Sequence, residues 1–335
     1  MNILLTSAGR RTYMIEYFKQ ALNGTGKVFA SNSILTYTLE QADEYVLTPN
    51  IYDDSYISFL IDYCKQKAIS AVISLFDIDL PVLAKNKALF SKEGIKLIVS
   101  DYDVTQICND KWATYEFLLN IGVKQTPSFI TLPDAKKAIA ERSISFPLFV
   151  KPRWGMGSIG IYKVETEEEL EVLYKKLHRE IFKTYLKYES SVDEESCIII
   201  QQAIKGQEYG IEVLNDLDAN YVSTYAKKKI TMRSGETDIA ETVNPLQFES
   251  VAKNISAHLR HIANLDVDCF VSDNGDIYVL EMNCRFGGQY PFTHNAGVNI
   301  PLQIIKWLKG QPTDRSITTQ KDGVRSCKEL LPVVF

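Results

Sequence analysis

The chain has no C-x-x-C pair, no basic block, no apolar run of membrane-spanning length and no internal repeat. Each absence narrows the function. The six cysteines, Cys64, Cys108, Cys197, Cys269, Cys284 and Cys327, are scattered, which argues against a zinc site or a disulfide framework and for buried thiols. His258 and His261 are spaced i, i+3 on a predicted helix but have no third ligand nearby, so no metal site is expected there. A net charge of −5 without a basic block argues against a nucleic-acid partner. The missing apolar run argues against a membrane span. At the N-terminus, charge follows the apolar residues (MNILLTSAGRR), the reverse of a secretory signal, so a cytoplasmic protein is expected. What remains is ordinary for a globular chain: 335 residues, 45% hydrophobic and 24% charged, enough for two or three domains and a large core.

The most informative stretch is Val267–Gln289, VDCFVSDNGDIYVLEMNCRFGGQ. Asn274-Gly275 is a hairpin signal, because both central turn positions require positive φ. A two-residue turn would place Asp268 opposite Glu281, and strand alternation puts Asn283 on the face of Glu281. Two carboxylates directly across a strand pair repel. A divalent cation between them reverses that sign, and a few oxygen ligands completed by phosphates form the shell Mg2+ prefers. The competing reading is a solvated hairpin with acids on its wet face, against which the apolar neighbours Phe270, Ile277, Val279 and Leu280 argue. Arg285 and Gly287-Gly288 follow directly as an anion partner and a backbone that can be closely approached.

The N-terminal third alternates strands and helices. Strands are predicted at 2–7, 27–31, 71–75 and 96–99, and helices from Tyr13 through Leu22, at 56–67 and at 79–90. Such alternation implies a parallel sheet open to ligands at its carboxyl edge. The turn after the first strand is Ser7-Ala8-Gly9, not G-x-G-x-x-G, so a dinucleotide reading is weak. Arg10 and Arg11 there are either an anion site or solvated. Asp77 and Asp79 follow a strand end, with a helix cap as the competing role for each and the favoured one for Asp79.

Asn109-Asp110-Lys111 opens an amphipathic helix that stops at Gly122. A first-turn lysine opposes the helix dipole, which hints at another purpose for Lys111. The apolar strand Phe146–Val150 ends in Lys151-Pro152, and Gly155, Gly157, Ser158 and Gly160 follow in a loop able to bring backbone N–H groups to phosphates. This is not a P-loop. A second strand over 159–164 would make it a hairpin lid. Further elements are a helix over 166–186 capped by Thr166, strands at 197–202, 209–214 and 221–230, a polar loop over 231–240, and helices at 248–264 and 300–308. Leu330–Phe335 is the expected last strand.

These motifs, in this order, resemble the ATP-grasp superfamily. Within it the likeness is to the synthetase module of the carbamoyl-phosphate synthetase large subunit and to free-standing carboxylate–amine ligases, and it covers roughly residues 1–310. The resemblance implies an α/β fold: an N-terminal open parallel α/β (pre-ATP-grasp) domain over 1–108, then a two-lobed α+β ATP-grasp domain over 109–310. Residues 109–203 would carry the glycine-rich lid and 204–310 the metal site, with 311–335 as a C-terminal tail. Position by position, the likeness implies that Lys111 touches the nucleotide phosphates and that Lys151 bridges adenine and the α-phosphate. Gly155, Gly157 and Ser158 belong to the loop closing over the β- and γ-phosphates. Gln201, Gln202, Ala203 and Ile204 form the adenine hinge, and Glu208 holds the ribose. Asp268, Glu281 and Asn283 hold Mg2+ or Mn2+, and Arg285 stabilises the transferred phosphoryl group. Arg233 lies where these ligases place substrate-facing groups, and it joins Lys151 and Arg285 as a catalytic candidate. Two positions depart from the pattern: Gln201 stands where Glu is common, and Asp268 where a longer side chain is common. A second synthetase half and an amidotransferase-type cysteine motif are both missing, which excludes a complete carbamoyl-phosphate synthetase. The expected activity is ATP- and Mg2+-dependent ligation of a small carboxylate to an amine through an acyl phosphate, in a chain that is expected as a possible homodimer. The alternatives are a small-molecule kinase and a regulatory nucleotide-binding module.

Overall fold

The computed structural model describes residues 1–335 except Ser158 and Ser234. The first sheet consists of β1 (Asn2–Thr6), β2 (Val28–Asn32), β3 (Glu44–Leu47), β4 (Ile69–Ser74) and β5 (Lys96–Leu97), all parallel, in the order β3-β2-β1-β4-β5. Ile3, Leu4 and Leu5 of the central strand are fully buried, the continuous apolar run expected of a parallel strand covered on both faces. The chain builds β1 to β3 outward on one side, then crosses to β4 on the other. The crevice at this reversal, beyond the carboxyl ends of β1 and β4, is where open sheets bind ligands. Ser7–Arg11 and Leu75–Asp79 occupy it.

β3 has no sequence counterpart in the reading above. It is an edge strand in which Tyr45 and Leu47 are exposed, so no buried run marks it. The helix expected over 79–90 is two, Asp79–Lys85 and Lys87–Lys92, parted at Asn86, whose amide donates to Val82 O.

The second sheet, β6 (Ser128–Phe129), β7 (Leu148–Pro152), β8 (Tyr162–Val164) and β9 (Ile198–Gln202), is antiparallel in the order β6-β9-β7-β8. Its glycine-bearing loop joins β7 to β8, so this stretch is a hairpin. The helix Glu167–Ile181 covers the sheet and is capped by the Thr166 hydroxyl, which accepts from the Glu169 amide at 3.2 Å. It stops short of the expected Leu186.

The third sheet has six antiparallel strands: β10 (Gly206–Asn215), β11 (Tyr221–Arg233), β12 (Glu236–Val243), β13 (Asn264–Ser272), β14 (Ile277–Asn283) and β15 (Arg325–Cys327), in the order β14-β13-β10-β11-β12-β15. The polar loop expected over 231–240 is instead the irregular end of the β11–β12 hairpin, with the ladder shifting register around Thr231. The helix expected over 248–264 is Glu249–Leu259, and β13 begins at Asn264. The final strand is Arg325–Cys327, paired with Ile239–Glu241, whereas Leu330 and Leu331 are exposed.

Packing divides the molecule unevenly. Leu4, Tyr56 and Val72 of the first sheet's layer share one core with Ile211, Phe248, Leu265, Val267 and Met282 of the third. Leu118, from the helix Lys111–Asn120, belongs to that same core. The second sheet has its own core of Leu148, Val150, Leu170, Leu177, Ile198 and Ile200. It is therefore a separately packed lobe set on a larger body. Five cysteines are buried and free, and Cys327 is exposed. No helix among the described residues is long and apolar enough to cross a membrane.

Candidate active site

One face of the third sheet gathers charge. Asp268 pairs across the strands with Glu281, and Asp266 with Asn283. The opposition of Asp268 and Glu281 matches the sequence expectation, but the turn does not. Val271 pairs with Ile277 and the Ser272 amide donates to Asp276 O at 2.9 Å, so Asp273, Asn274 and Gly275 together close the loop. Gly275 takes the left-handed φ of +83°, the signature of the three-residue hairpin with a bulge. That shift of one residue is cancelled at Leu280, which bulges out between the Cys269–Val279 and Asp268–Glu281 pairs. Without the bulge, Glu281 and Asn283 would lie on the opposite face.

β10 and β11 extend this face. Glu208, Gly210 and Glu212 lie beside Phe270, Asp268 and Asp266, and Lys227 lies beside Gly210. Lys229 forms ion pairs with Glu208 and Asp268, each at 2.7 Å, and Lys227 binds Glu212 in a fully buried pair at 2.5 Å. Glu208 and Asp268, expected at the ribose and at the metal, are thus both held by Lys229. Burial raises the carboxyl pKa of Asp268 against the pull of Lys229. Glu281 is the better placed ligand. Burial opposes its charge too, but Lys111, Lys151, Lys229 and Arg285 together hold its pKa below the ordinary carboxylate value. Among the described residues, no three His, Cys, Asp or Glu side chains form a ready cage. The donor set nevertheless suits Mg2+, which takes one or two carboxylates and leaves the rest of its shell to water and phosphate oxygens. Glu281 and Asn283 would be its main protein ligands and Asp268 a third, on release from Lys229.

Lysines from two other elements approach this face. Lys111 is buried, 3.9 Å from Glu281, and its ammonium donates to Gly155 O in the glycine-bearing loop at 2.5 Å. The same helix start is tied to the lobe by Arg153, whose Nε and Nη2 bind the two oxygens of Asp110 at 2.8 and 2.7 Å. Lys151, at the end of β7, is also buried and makes no ion pair among the described residues. Burial lowers its pKa to about 8, with Lys111 adding to the effect and Glu281 opposing it. A buried ammonium without a carboxylate partner is costly unless an anion completes it.

The expected adenine hinge is partly committed elsewhere. Gln202 N–H donates to Pro127 O and Ala203 N–H to Pro147 O. The Gln201 side chain donates to the Ser128 hydroxyl at 2.8 Å, while its buried Oε1 has no partner. Of the proposed backbone donors, Ile204 N–H has no protein acceptor among the described residues. Gly157 has φ +60°, the conformation glycine supplies, and Ser158 lies outside the described residues.

Arg285 joins the two halves of the larger body. Its guanidinium donates to Asp77 at 2.9 Å, from the crevice of the first sheet, and to Asp266 at 3.0 Å, while its buried Nε is unpartnered. Asp266 also accepts from Gln289, whose amide reaches Asp268 as well at 3.1 Å. Two glycines make room for this. A Cβ at Gly210 would sit on the Gln289 amide, and one at Gly287 would lie 2.2 Å from the Asp266 carboxylate. Asp266, Gln289 and Lys229 escaped the sequence reading. Asp266 sits two residues before Asp268 on the same face, and that alternation was the only available signal.

Asp79 is not a helix cap. It accepts from the hydroxyls of Thr6, Ser74 and Tyr56 at 2.5, 2.8 and 2.8 Å, beneath the ends of β1 and β4. Asp77 is therefore the carboxylate of this pair that faces the cleft. Arg233, a catalytic candidate on sequence, is not drawn into the cluster. It is half exposed at the tip of β11 and binds Asp238 and the Lys328 carbonyl. His258 and His261 bind the carbonyls of Asn254 and Val213, not each other's neighbourhood.

Residues 3–98 match the PylC-like N-terminal domain model, and residues 144–292 match the ATP-grasp domain model. The chain is 24% identical to D-alanine–D-alanine ligase of Streptococcus pneumoniae over 81% of its own length and 84% of the ligase. Its fold is similar to that of L-amino acid ligase from Bacillus licheniformis, with a TM-score of 0.75 and 19% identity, over 99% of this chain and 81% of that one. It is also similar to the biotin carboxylase domain of 2-oxoglutarate carboxylase from Hydrogenobacter thermophilus, a structure containing MgADP. There the TM-score is 0.73 and the identity 19%, over 93% of this chain and 70% of that one. With a parallel five-stranded domain leading into antiparallel lobes that carry the glycine-bearing loop and the acidic face, the chain belongs to the ATP-grasp superfamily.

Proposed function

We propose that the protein is an ADP-forming carboxylate–amine ligase that uses ATP with Mg2+ to activate a small carboxylate as its acyl phosphate. The observation that carries this is the gathering of Lys111, Lys151 and Lys229, from three separate elements, and Arg285, from the turn after β14, around the Glu281 carboxyl. Phosphoryl transfer asks little covalent chemistry of a protein. It asks for positioning and for fixed positive charge where negative charge spreads. When bound, Mg2+ supplies further neutralisation of the β- and γ-phosphates. Lys151 binds phosphate oxygens, and Lys111 is positioned to do the same while securing the lid loop through Gly155 O. Arg285, held by Asp77 and Asp266, presents its free Nε toward the transferring group. A substrate carboxylate oxygen attacks the γ-phosphorus and ADP leaves. The amine then attacks the acyl carbon, expelling phosphate and forming the amide. The lid over β7–β8 keeps water from the intermediate.

The ligase names among the similar proteins support this class over a kinase or a regulatory module. ATP, Mg2+ and a panel of amino acids and small acids are incubated with hydroxylamine in place of the amine, and ADP and hydroxamate are measured together. Stoichiometric hydroxamate is expected for at least one carboxylate. ADP release with a stable phosphate ester and no hydroxamate would identify a kinase instead, and tight nucleotide binding without ADP would identify a regulatory module.

A further inference from the structure

Arg11 stands at the crevice of the first sheet. It is the residue preceding the helix Thr12–Leu22, just beyond the carboxyl end of β1. The turn that presents it is tightly determined. Ser7 has the left-handed φ of +51°, uncommon for a side-chain-bearing residue, and its hydroxyl donates to Asp79 at 3.2 Å. The Ala8 amide donates to Ser31 O, and the Arg11 amide to Ala8 O. Through Asp79 this turn is fixed against the segment bearing Asp77, whose carboxylate holds Arg285. Arg11 is only partly exposed, whereas Arg10 is exposed.

Arg11 makes no ion pair among the described residues. The nearby carboxylates are engaged: Asp77 and Asp266 by Arg285, and Glu236 by Lys328 at 3.0 Å. Burial lowers the pKa of its guanidinium, and the charge of Arg285 lowers it further. Arg285 reaches the same crevice through Asp77, and of these two guanidinium groups only Arg285 is paired with carboxylates among the described residues. Tyr13 belongs to the same cluster. Burial raises the pKa of its phenol, against the pull of Arg11.

Building on the ligase reading, we propose that Arg11 binds a carboxylate of the substrate other than the one that is phosphorylated. Arg285 follows the metal-binding strand β14 by two residues and reaches the first-sheet crevice through Asp77, so the reacting carboxylate takes the place beside Arg285. The second carboxylate belongs either to the amine, making it an amino acid, or to a dicarboxylic acyl donor.

Matched probes separate these sources. For each standard amino acid accepted as the amine, kcat/KM is compared with that of its decarboxylated amine, such as alanine against ethylamine. For each accepted donor, a dicarboxylic acid is compared with the monocarboxylic acid of equal length. The wild-type protein is expected to prefer the extra carboxylate by about 10- to 100-fold in one of the two series, the range for a hydrogen bond to a charged group. Arg11→Gln is expected to bring that ratio close to one, and Arg11→Lys, which keeps charge but loses the planar fork, to give an intermediate ratio. A wild type indifferent to the extra carboxylate in both series, or an Arg11→Gln variant that lowers both members of a pair equally, overturns the proposal. The hydroxylamine reaction separates the two hypotheses. Hydroxamate without discrimination rejects only the role of Arg11, and no hydroxamate from any acid rejects the ligase reading itself.

Discussion

Lys151 and Arg285 are both buried cations, and they differ in what neutralises them. Arg285 has two carboxylates and a guanidinium that stays charged at any working pH. Lys151 has none within ion-pair reach, and its pKa falls to about 8. Only protonated Lys151 attracts phosphate, so the nucleotide-free protein loses its ATP-binding form as pH rises through about 8. The KM for ATP is therefore expected to climb by up to about tenfold per pH unit above that point. Lys151→Met should bind ATP weakly at every pH and lose this rise, which nucleotide titrations between neutral and alkaline pH would reveal. Arg285→Ala should act differently, lowering kcat much more than it weakens ATP binding. The expected loss is about 3–4 kcal/mol of transition-state stabilisation, the usual size for removing one such donor. Equal effects on kcat and on ATP affinity would place Arg285 in ground-state binding instead.

At the scale of elements, the β13–β14 hairpin shows what the amino-acid sequence could and could not disclose. The opposition of Asp268 and Glu281 is legible because alternation is a local property of two nearby strands. It survives although the turn is one residue longer than Asn274-Gly275 suggests, because the Leu280 bulge restores the register. Lys229 was illegible as a partner of Asp268. Its strand, β11, reaches Asp268 only across β10, and pairings between strands distant in sequence leave no local mark. Gln289 was hidden for the same reason, since the space it fills is created by Gly210, whereas Asp266 had only its alternation with Asp268 to mark it. The turn after β14 offers a direct test. Gly287→Ala would drive a Cβ to 2.2 Å from Asp266 and so displace the support of Arg285. An activity loss of about 100-fold is expected, as misplacement by about 1 Å can have that effect, together with a fall in thermal stability from overpacking the buried Asp266–Arg285 pair. Gly288→Ala, whose Cβ would meet the flexible Lys328 ammonium at 3.4 Å and the Glu236 carboxylate at an ordinary 3.8 Å, should change kcat little.

The molecule as a whole is a large body with a smaller lobe beside it. The first and third sheets share a core, and the second sheet keeps its own. Lobes packed separately move more easily than those fused through one core. Lys111–Gly155, Asp110–Arg153 and the Lys111 amide's bond to Arg153 O are polar ties that cross the gap at the site. Nucleotide binding is accordingly expected to slow amide hydrogen exchange in the β7–β8 hairpin, and to leave Val213 and Leu265, deep in the shared core, unchanged. Uniform protection of both would mean that the lobe does not move independently.

The central claim is that the acidic face of β13 and β14 grips a metal–nucleotide pair. Mn2+ reports this without turnover: free Mn2+ is followed by electron paramagnetic resonance as protein is added in the presence of a non-hydrolysable ATP analogue. The wild-type protein is expected to withdraw about one equivalent of Mn2+ as a ternary complex, and folded Glu281→Ala to withdraw none beyond the nucleotide alone. A folded Glu281→Ala protein that binds Mn2+–nucleotide as tightly as the wild type would contradict the account.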